Sequence, residues 1–417
     1  MEKVSVWRGR SRPRKDGIIK TVAMGIYISV PFCRTKCSYC NFASDVFSRV
    51  VFERYVDRVC ADVVHAPQTA QEMGGQIERE VDSIYLGGGT PTVLEPGQLQ
   101  RVFDSVRAQF SVCANAEVTV ECAPGTLAPA VIEGLLRCGV NRVSLGVQSF
   151  VDNEAAVVGR LHKRSTVLDD IARVHAAGIT NINIDLIAGL PHQTEETWHR
   201  SLEETFATGA PHVSVYMLEV DEDSRLGREV IAGGTRYHAH FVPDEDATAD
   251  LYVAACEKLE AGGVTQYEIS NFAQAGFESR HNLKYWTRRP YLGFGVDAHS
   301  MLLASATQDA EAVRFATADV LEKYVAGSLV EKTLVSRATA LEERFFLGLR
   351  LNRGLDLREI AASFSEQALD NLRPTIAELI HDGLLLREGE RIRLTARGRL
   401  LSNEVFQAFL APAAFPT

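Results

Sequence analysis

Cys33, Cys37 and Cys40, spaced C-x₃-C-x₂-C, follow at once on a short alternating apolar run that ends at Val30 and is closed by Pro31. The alternation reads as a buried strand, so the stretch Ile26 to Phe42 (IYISVPFCRTKCSYCNF) sets three thiols on the loop that leaves it. Thiolates this close together can converge on one soft metal centre, whereas a closed site normally takes four ligands. No fourth cysteine is near, since the residue two places past Cys40 is Phe42. An iron–sulfur cubane held by three cysteines would keep one iron open for an exchangeable ligand. The competing readings are a zinc knuckle, which wants a fourth Cys or His, and three unrelated thiols.

A chain of 417 residues has room for one large α/β domain and a smaller one. Five further cysteines (Cys60, Cys113, Cys122, Cys138, Cys256) are scattered through helix- and strand-like stretches, which argues for a reducing compartment. A net charge of −10 carries no general nucleic-acid footprint. No apolar run approaches the length that crosses a bilayer, so no integral membrane segment is expected. Residues 1–24 hold seven Lys and Arg against Glu2 and Asp16. Without an amphipathic stripe, and with Pro13 and Gly17, they read as a basic disordered tail rather than a transit peptide.

Residues 25–230 alternate strands with helices. Asp82–Leu86 runs into Gly87-Gly88-Gly89-Thr90-Pro91-Thr92, whose backbone N–H groups can approach a ligand closely. Glu121 ends the third strand, Gln148 the fourth, Asp185 lies within the fifth, and His212–Leu218 is the sixth. Six such units predict a parallel sheet curled into a partial (β/α)6 barrel, which binds ligands at the carboxyl ends of its strands. Residues 231–310 extend it and contain YEISNFA (267–273), HNLKYW (281–286) and GFGVDAHS (293–300). Residues 311–417 are mostly helical, with Pro374 as a break or restart and a hairpin over 383–394, a winged-helix-like module. Its arginines (Arg387, Arg391, Arg393) are diluted by Glu388 and Glu390, and DNA binding is not expected.

The cysteine loop resembles the signature of the radical S-adenosylmethionine (SAM) superfamily. Together with GGGTPT, Gly159-Arg160-Leu161-His162, YEISNFA and HNLKYW, it is similar to the oxygen-independent coproporphyrinogen III oxidase-like family, and to that family's haem-chaperone branch, over about Gly25 to Phe409. The resemblance implies a [4Fe–4S] cluster on Cys33, Cys37 and Cys40. It implies SAM contacts from Tyr27, Gly88, Gly89, Thr90, Glu121, Gln148, Arg160 and Asp185, with Tyr39 packing on the adenine. Haem contact would fall to His281, Asn282, Tyr285 and Trp286, His281 being the axial ligand and the two aromatics stacking on the porphyrin. The implied protein is cytoplasmic, passes haem to an acceptor protein and takes electrons from a donor such as flavodoxin or ferredoxin. The alternative is the family's decarboxylation of coproporphyrinogen III. Against it, Phe42 replaces a further cysteine of the decarboxylases, and only a short tail precedes the first strand. Asp297 departs from the small residue expected in the G-x-G-x-x-A-H-S turn, with no account from sequence.

Overall fold

The computed structural model describes residues 23–306, 308–327 and 331–410. The basic tail expected over residues 1–24 therefore lies outside the described residues up to residue 22. Met24, fully buried, already opens the first strand. Six strands, β1 (Met24–Val30), β2 (Glu80–Gly88), β3 (Ser111–Cys122), β4 (Arg142–Gln148), β5 (Asn181–Ala188) and β6 (His212–Met217), pair in chain order, each parallel to the next. Helices connect them, and the sheet does not close: its path ends on Glu331–Val335 at one side and Thr265–Gln266 at the other. The partial barrel read from the sequence is the architecture observed.

Strand alternation sorts the two faces. Met24, Ile26, Ile28 and Val30 share a core with Tyr55, Val56 and Val59 of the first helix, while Tyr27 and Ser29 face the barrel interior. That helix spans Val50–Met73, because Ala66 and Ala70 continue its buried stripe past Pro67.

The sheet runs on beyond the boundary at 310 expected from sequence. Tyr291–Gly295 pairs parallel to β1, and His299–Ala304, Ala312–Ala316 and Glu331–Val335 follow antiparallel. Val313 and Phe315 belong to the barrel core, which is why residues 312–335 go with the barrel and not with the terminal module. Past Val335 a second core forms around Phe345, Leu349, Ile376 and Ile392. It is completed by a three-stranded sheet of Leu355–Asp356, Arg391–Leu394 and Leu385–Glu388. Pro374 restarts a helix there, separating Glu366–Asp370 from Arg373–His381. Asp297 sits at φ 53°, a left-handed position that Asp tolerates better than most residues, so the turn accounts for its identity. Among the described residues no helix is long and apolar enough to cross a membrane.

Candidate functional site at the mouth of the barrel

The cysteine loop is pinned on all sides. Cys33 N–H donates to Asp45 O at 2.9 Å and Asp45 N–H to Pro31 O at 2.9 Å, closing the loop on itself. The Lys36 ammonium donates to the carbonyls of Phe42 (2.6 Å) and Ser44 (2.7 Å). Ser38 N–H reaches Val158 O at 3.0 Å, and Leu226 N–H reaches Ser38 O at 2.8 Å. Cys37 is buried, Cys33 and Cys40 are half-buried, and Phe42 is 65% exposed.

The glycine loop fits against these cysteines. Gly88 takes φ 95°, and a Cβ there would stand 2.8 Å from Ser29 Oγ. At Gly89 a Cβ would stand 2.7 Å from Val30 O and 3.1 Å from Cys33 Sγ. Both positions therefore exclude side chains, for strain and for space. Thr90 Oγ1 lies 3.8 Å from Cys33 Sγ as a donor. Arg160 Nη1 is a donor 3.7 Å from Cys37 Sγ, and Nη2 donates to Gly146 O. Tyr39 packs among Val158, Ile187 and Leu190.

Two carboxylates face the same space. Glu121 accepts from Tyr85 O–H at 2.9 Å and from Gly88 N–H at 3.2 Å. Burial, then the neighbouring Asp185, pushes it up to about 7 against those bonds. Asp185 accepts from Asn183 Nδ2 (2.7 Å) and Ser144 Oγ (3.1 Å), and burial raises it too. Gln148, buried at the end of β4, is held at φ 69° where the strand register shifts. The structure thus gathers the residues expected at the strand ends around one mouth.

HNLKYW lies elsewhere. His281 is 1% exposed inside the amino end of the barrel. Its Nδ1 is 3.0 Å from Ser83 Oγ and its Nε2 2.8 Å from Tyr285 O–H, while its N–H donates to Glu117 at 3.0 Å. Burial, with Lys284 and Arg142 nearby, drives it down to about 3. Both ring nitrogens are thus engaged, and the imidazole is not free to ligate iron in this arrangement. Trp286 lies under the Arg350 guanidinium at 4.3 Å, and Tyr285 stacks edge-on to Tyr291 at 4.6 Å. Asn282 N–H donates to the Ser279 cap at 3.3 Å. YEISNFA is on the same seam: Asn352 of the terminal module donates from its N–H to Tyr267 O at 3.0 Å and from its side chain to Gln266 O at 2.7 Å. Glu343, nearly buried, pairs with Arg288 (2.7 Å) and Arg314 (2.8 Å). The wing arginines are paired as well, Arg387 with Glu390 and Arg393 with Glu388.

Sequence reasoning missed the layer between mouth and base. Asn183 Oδ1 is 2.6 Å from His212 Nδ1, whose Nε2 is 3.0 Å from Tyr267 O–H. Ser279 N–H completes the run at Tyr267 Oη, 3.2 Å away. With His212 neutral and protonated on Nδ1, donors in this run all point toward Asp185. Burial and Arg142 hold His212 well below its usual range, which keeps it neutral. Arg142 itself is 1% exposed, and its Nε has no hydrogen-bond partner among the described residues. The signal was present as polar residues at every second position: Arg142 and Ser144, Asn183 and Asp185, His212 and Ser214.

Residues 27–205 match the radical SAM superfamily model, and residues 335–401 match the HemN C-terminal domain. The chain is 33% identical over 386 residues to the haem chaperone HemW of Bacillus subtilis, covering 92% of this chain and 98% of that one. It belongs to the HemW branch of the HemN-like radical SAM family. HemW of Escherichia coli is 30% identical over 94% of this chain and its own full length. The solved coproporphyrinogen III oxidase (HemN) of Escherichia coli superposes with a TM-score of 0.78 at 24% identity, over 93% of this chain and 90% of that one, a likeness of fold.

Proposed function

We propose that this HemW-branch chain is a cytoplasmic haem chaperone that carries a [4Fe–4S] cluster and SAM and delivers haem to an acceptor protein. The similarity to haem chaperones along almost their entire length carries the reading. The residues present fit the two cofactors. A cluster sets each thiolate on a separate iron, so one buried and two half-buried cysteines on a pinned loop suit it better than a zinc knuckle. When bound, the cluster supplies one electron and an open iron that chelates an amino acid.

The chain's residues then do the holding. Backbone groups of Gly88 and Gly89 meet the amino-acid end of SAM. Arg160, fixed between Gly146 O and Cys37, sets positive charge beside the carboxylate. Gln148, Glu121 and Asp185 offer acceptors for the ammonium and ribose hydroxyls, and Tyr27 and Tyr39 flank the mouth. The HemN fold is shared with a decarboxylase, but exposed Phe42 replaces the extra thiol of such enzymes.

Anaerobic reconstitution of the full chain tests this. About four irons per chain, and a reduced-cluster paramagnetic resonance signal that SAM shifts, are expected. Haem should give a Soret shift, and coproporphyrinogen III should stay unconverted with SAM and reductant. Absence of stoichiometric haem binding would refute the chaperone assignment, as would multiple-turnover formation of protoporphyrinogen.

A further inference from the structure

Behind Asp185 the barrel keeps a layer of polar side chains where apolar ones would fill the same space. Register sets Ser144, Asn183 and His212 side by side on β4, β5 and β6, one layer below Gly146, Asp185 and Ser214. Ser144, Asn183, His212 and Ser214 are each no more than 3% exposed. A buried polar network gains little stability over well-packed apolar groups, and what it returns when fully satisfied is one fixed arrangement. Asp185, half-buried, is its member at the mouth.

The two ends of the run dictate the direction of every bond in it. At one end Ser279 offers a backbone N–H, which only donates, and Tyr267 Oη accepts it at 3.2 Å. At the other end stands the Asp185 carboxylate. Asn183 Nδ2 lies 2.7 Å from Asp185 Oδ1 and 2.7 Å from Ser144 Oγ, whose own proton goes to Asp185 Oδ2 at 3.1 Å. Turned over, the amide would set its oxygen against a carboxylate oxygen at that separation. Asn183 Oδ1 therefore points away, to His212 Nδ1 at 2.6 Å, and that nitrogen carries the proton. The Tyr267 hydroxyl proton is left with His212 Nε2, 3.0 Å away, as its acceptor. Tyr267 is fixed in turn by the terminal module, whose Asn352 N–H donates to its carbonyl at 3.0 Å. Donors thus back both oxygens of Asp185 from inside, and about two of the four lone-pair sites of a carboxylate stay open to a ligand.

We infer that His212, held by Tyr267, is a positioning residue for SAM: its Nδ1–H locks the Asn183 amide in the orientation that keeps Asp185 aimed at the mouth as an acceptor-only group. The inference rests on the SAM site proposed above and deepens it. SAM brings donors, an ammonium and ribose hydroxyls, that such a carboxylate receives. Without the imidazole, Asn183 Oδ1 keeps only the 3.2 Å approach of Ser214 Oγ, whose proton has Asn271 Oδ1 at 2.8 Å as a nearer acceptor. The amide, and the carboxylate in front of it, then lose their single orientation.

Calorimetric titration of SAM into the cluster-loaded full chain, under anaerobic conditions, tests the inference. His212→Leu should bind SAM about tenfold more weakly, a coupling usual between neighbours in one network. His212→Asn separates positioning from filling, because its Nδ2 is bonded to Cγ as the imidazole Nδ1 is and can still donate to Asn183. Its affinity should stay within about threefold of wild type. A space-filling role would give the reverse order, since Leu replaces the volume of the ring better than Asn does. In an Asp185→Asn background, itself weakened, His212→Leu should add less than about twofold. Iron content should match the wild type throughout. Wild-type affinity in His212→Leu, weaker binding by His212→Asn than by His212→Leu, or a tenfold penalty that persists in Asp185→Asn would each overturn the positioning role and leave the SAM site standing. If His212→Leu does not fold, Tyr267→Phe carries the test with a loss of about threefold that Asp185→Asn should abolish, and an undiminished loss there counts against the role. Failure of the wild type itself to bind SAM would overturn both.

Discussion

Glu117 and Glu121 stand four residues apart on the same strand and face the same interior, yet one closes the barrel and the other opens it to ligand. Glu117 accepts two backbone N–H groups, from Arg280 and His281, each at 3.0 Å, and so fastens the first turn of the Arg280–Trp286 helix into the amino end. A carboxylate there also meets the helix dipole. Glu121 accepts from Tyr85 and Gly88, and its remaining lone pairs lie at the mouth beside Asp185. At the base most polar groups are paired with one another, Trp286 Nε1 being an exception that finds no hydrogen bond among the described residues. At the mouth they are held from behind and left with capacity in front. Side-chain type does not separate the two ends; position along the strand does.

The largest effect should come at the mouth. Cys37→Ala should abolish a reconstituted four-iron cluster, while Cys60→Ala and Cys256→Ala keep full iron and sulfide content. Equal loss from all three variants would mean that the cysteine loop is not the site. At the base the expected damage is to folding instead. His281→Leu removes an imidazole bonded on both nitrogens and leaves Ser83 Oγ and Tyr285 O–H unsatisfied. Denaturant unfolding of the apoprotein should show a loss of about 3 kcal/mol, two buried bonds at 1–3 kcal/mol each after partial relaxation. Cluster content in the surviving folded fraction should be normal.

HNLKYW was conspicuous in the sequence, and the structure puts its histidine in a buried setting with both ring nitrogens bonded. Packed histidines, aromatics and cations look the same in one dimension whether they line a pocket or fill one. The barrel was legible because its six strands alternate with helices and its polar residues fall at strand ends. The cysteine spacing was legible because ligand number limits what three thiols can hold. The run from Ser279 through Tyr267, His212 and Asn183 to Asp185 was not, since its members come from β5, β6 and two distant loops. Only register brings Asn183 opposite His212. The seam at Val335 escaped for a similar reason, because edge strands added after a barrel carry no signal of which sheet they join.

A smaller effect separates the ends by affinity. Glu121→Gln keeps the shape and hydrogen-bonding reach of the side chain but removes its charge. SAM binding should weaken by about 1.5–3 kcal/mol, the worth of a charge-assisted bond, and calorimetry should show it. Unfolding free energy should hardly change. If instead stability collapsed with affinity intact, Glu121 would belong with Glu117 as a structural carboxylate.

The smallest effect is a dependence on pH, and its sign differs between the ends. Glu121, pushed up to about 7 in the folded protein, takes a proton as pH falls through that value. A neutral carboxyl attracts the SAM ammonium less, so affinity should drop about tenfold between roughly pH 8 and 6, one proton being linked to binding. Glu121→Gln should abolish the drop. Folding responds the other way: the folded state binds this proton more tightly than the unfolded chain, so its uptake stabilises the apoprotein as pH falls from about 7 toward the ordinary 4.5. His281 opposes it. Held down to about 3 when folded and near 6.5 when unfolded, it costs stability progressively as pH falls below 6.5. Apoprotein stability should therefore vary little on account of this pair over the window in which SAM affinity falls. A stability profile that tracked the affinity profile point for point would show that one group governs both, and the division between mouth and base would fail.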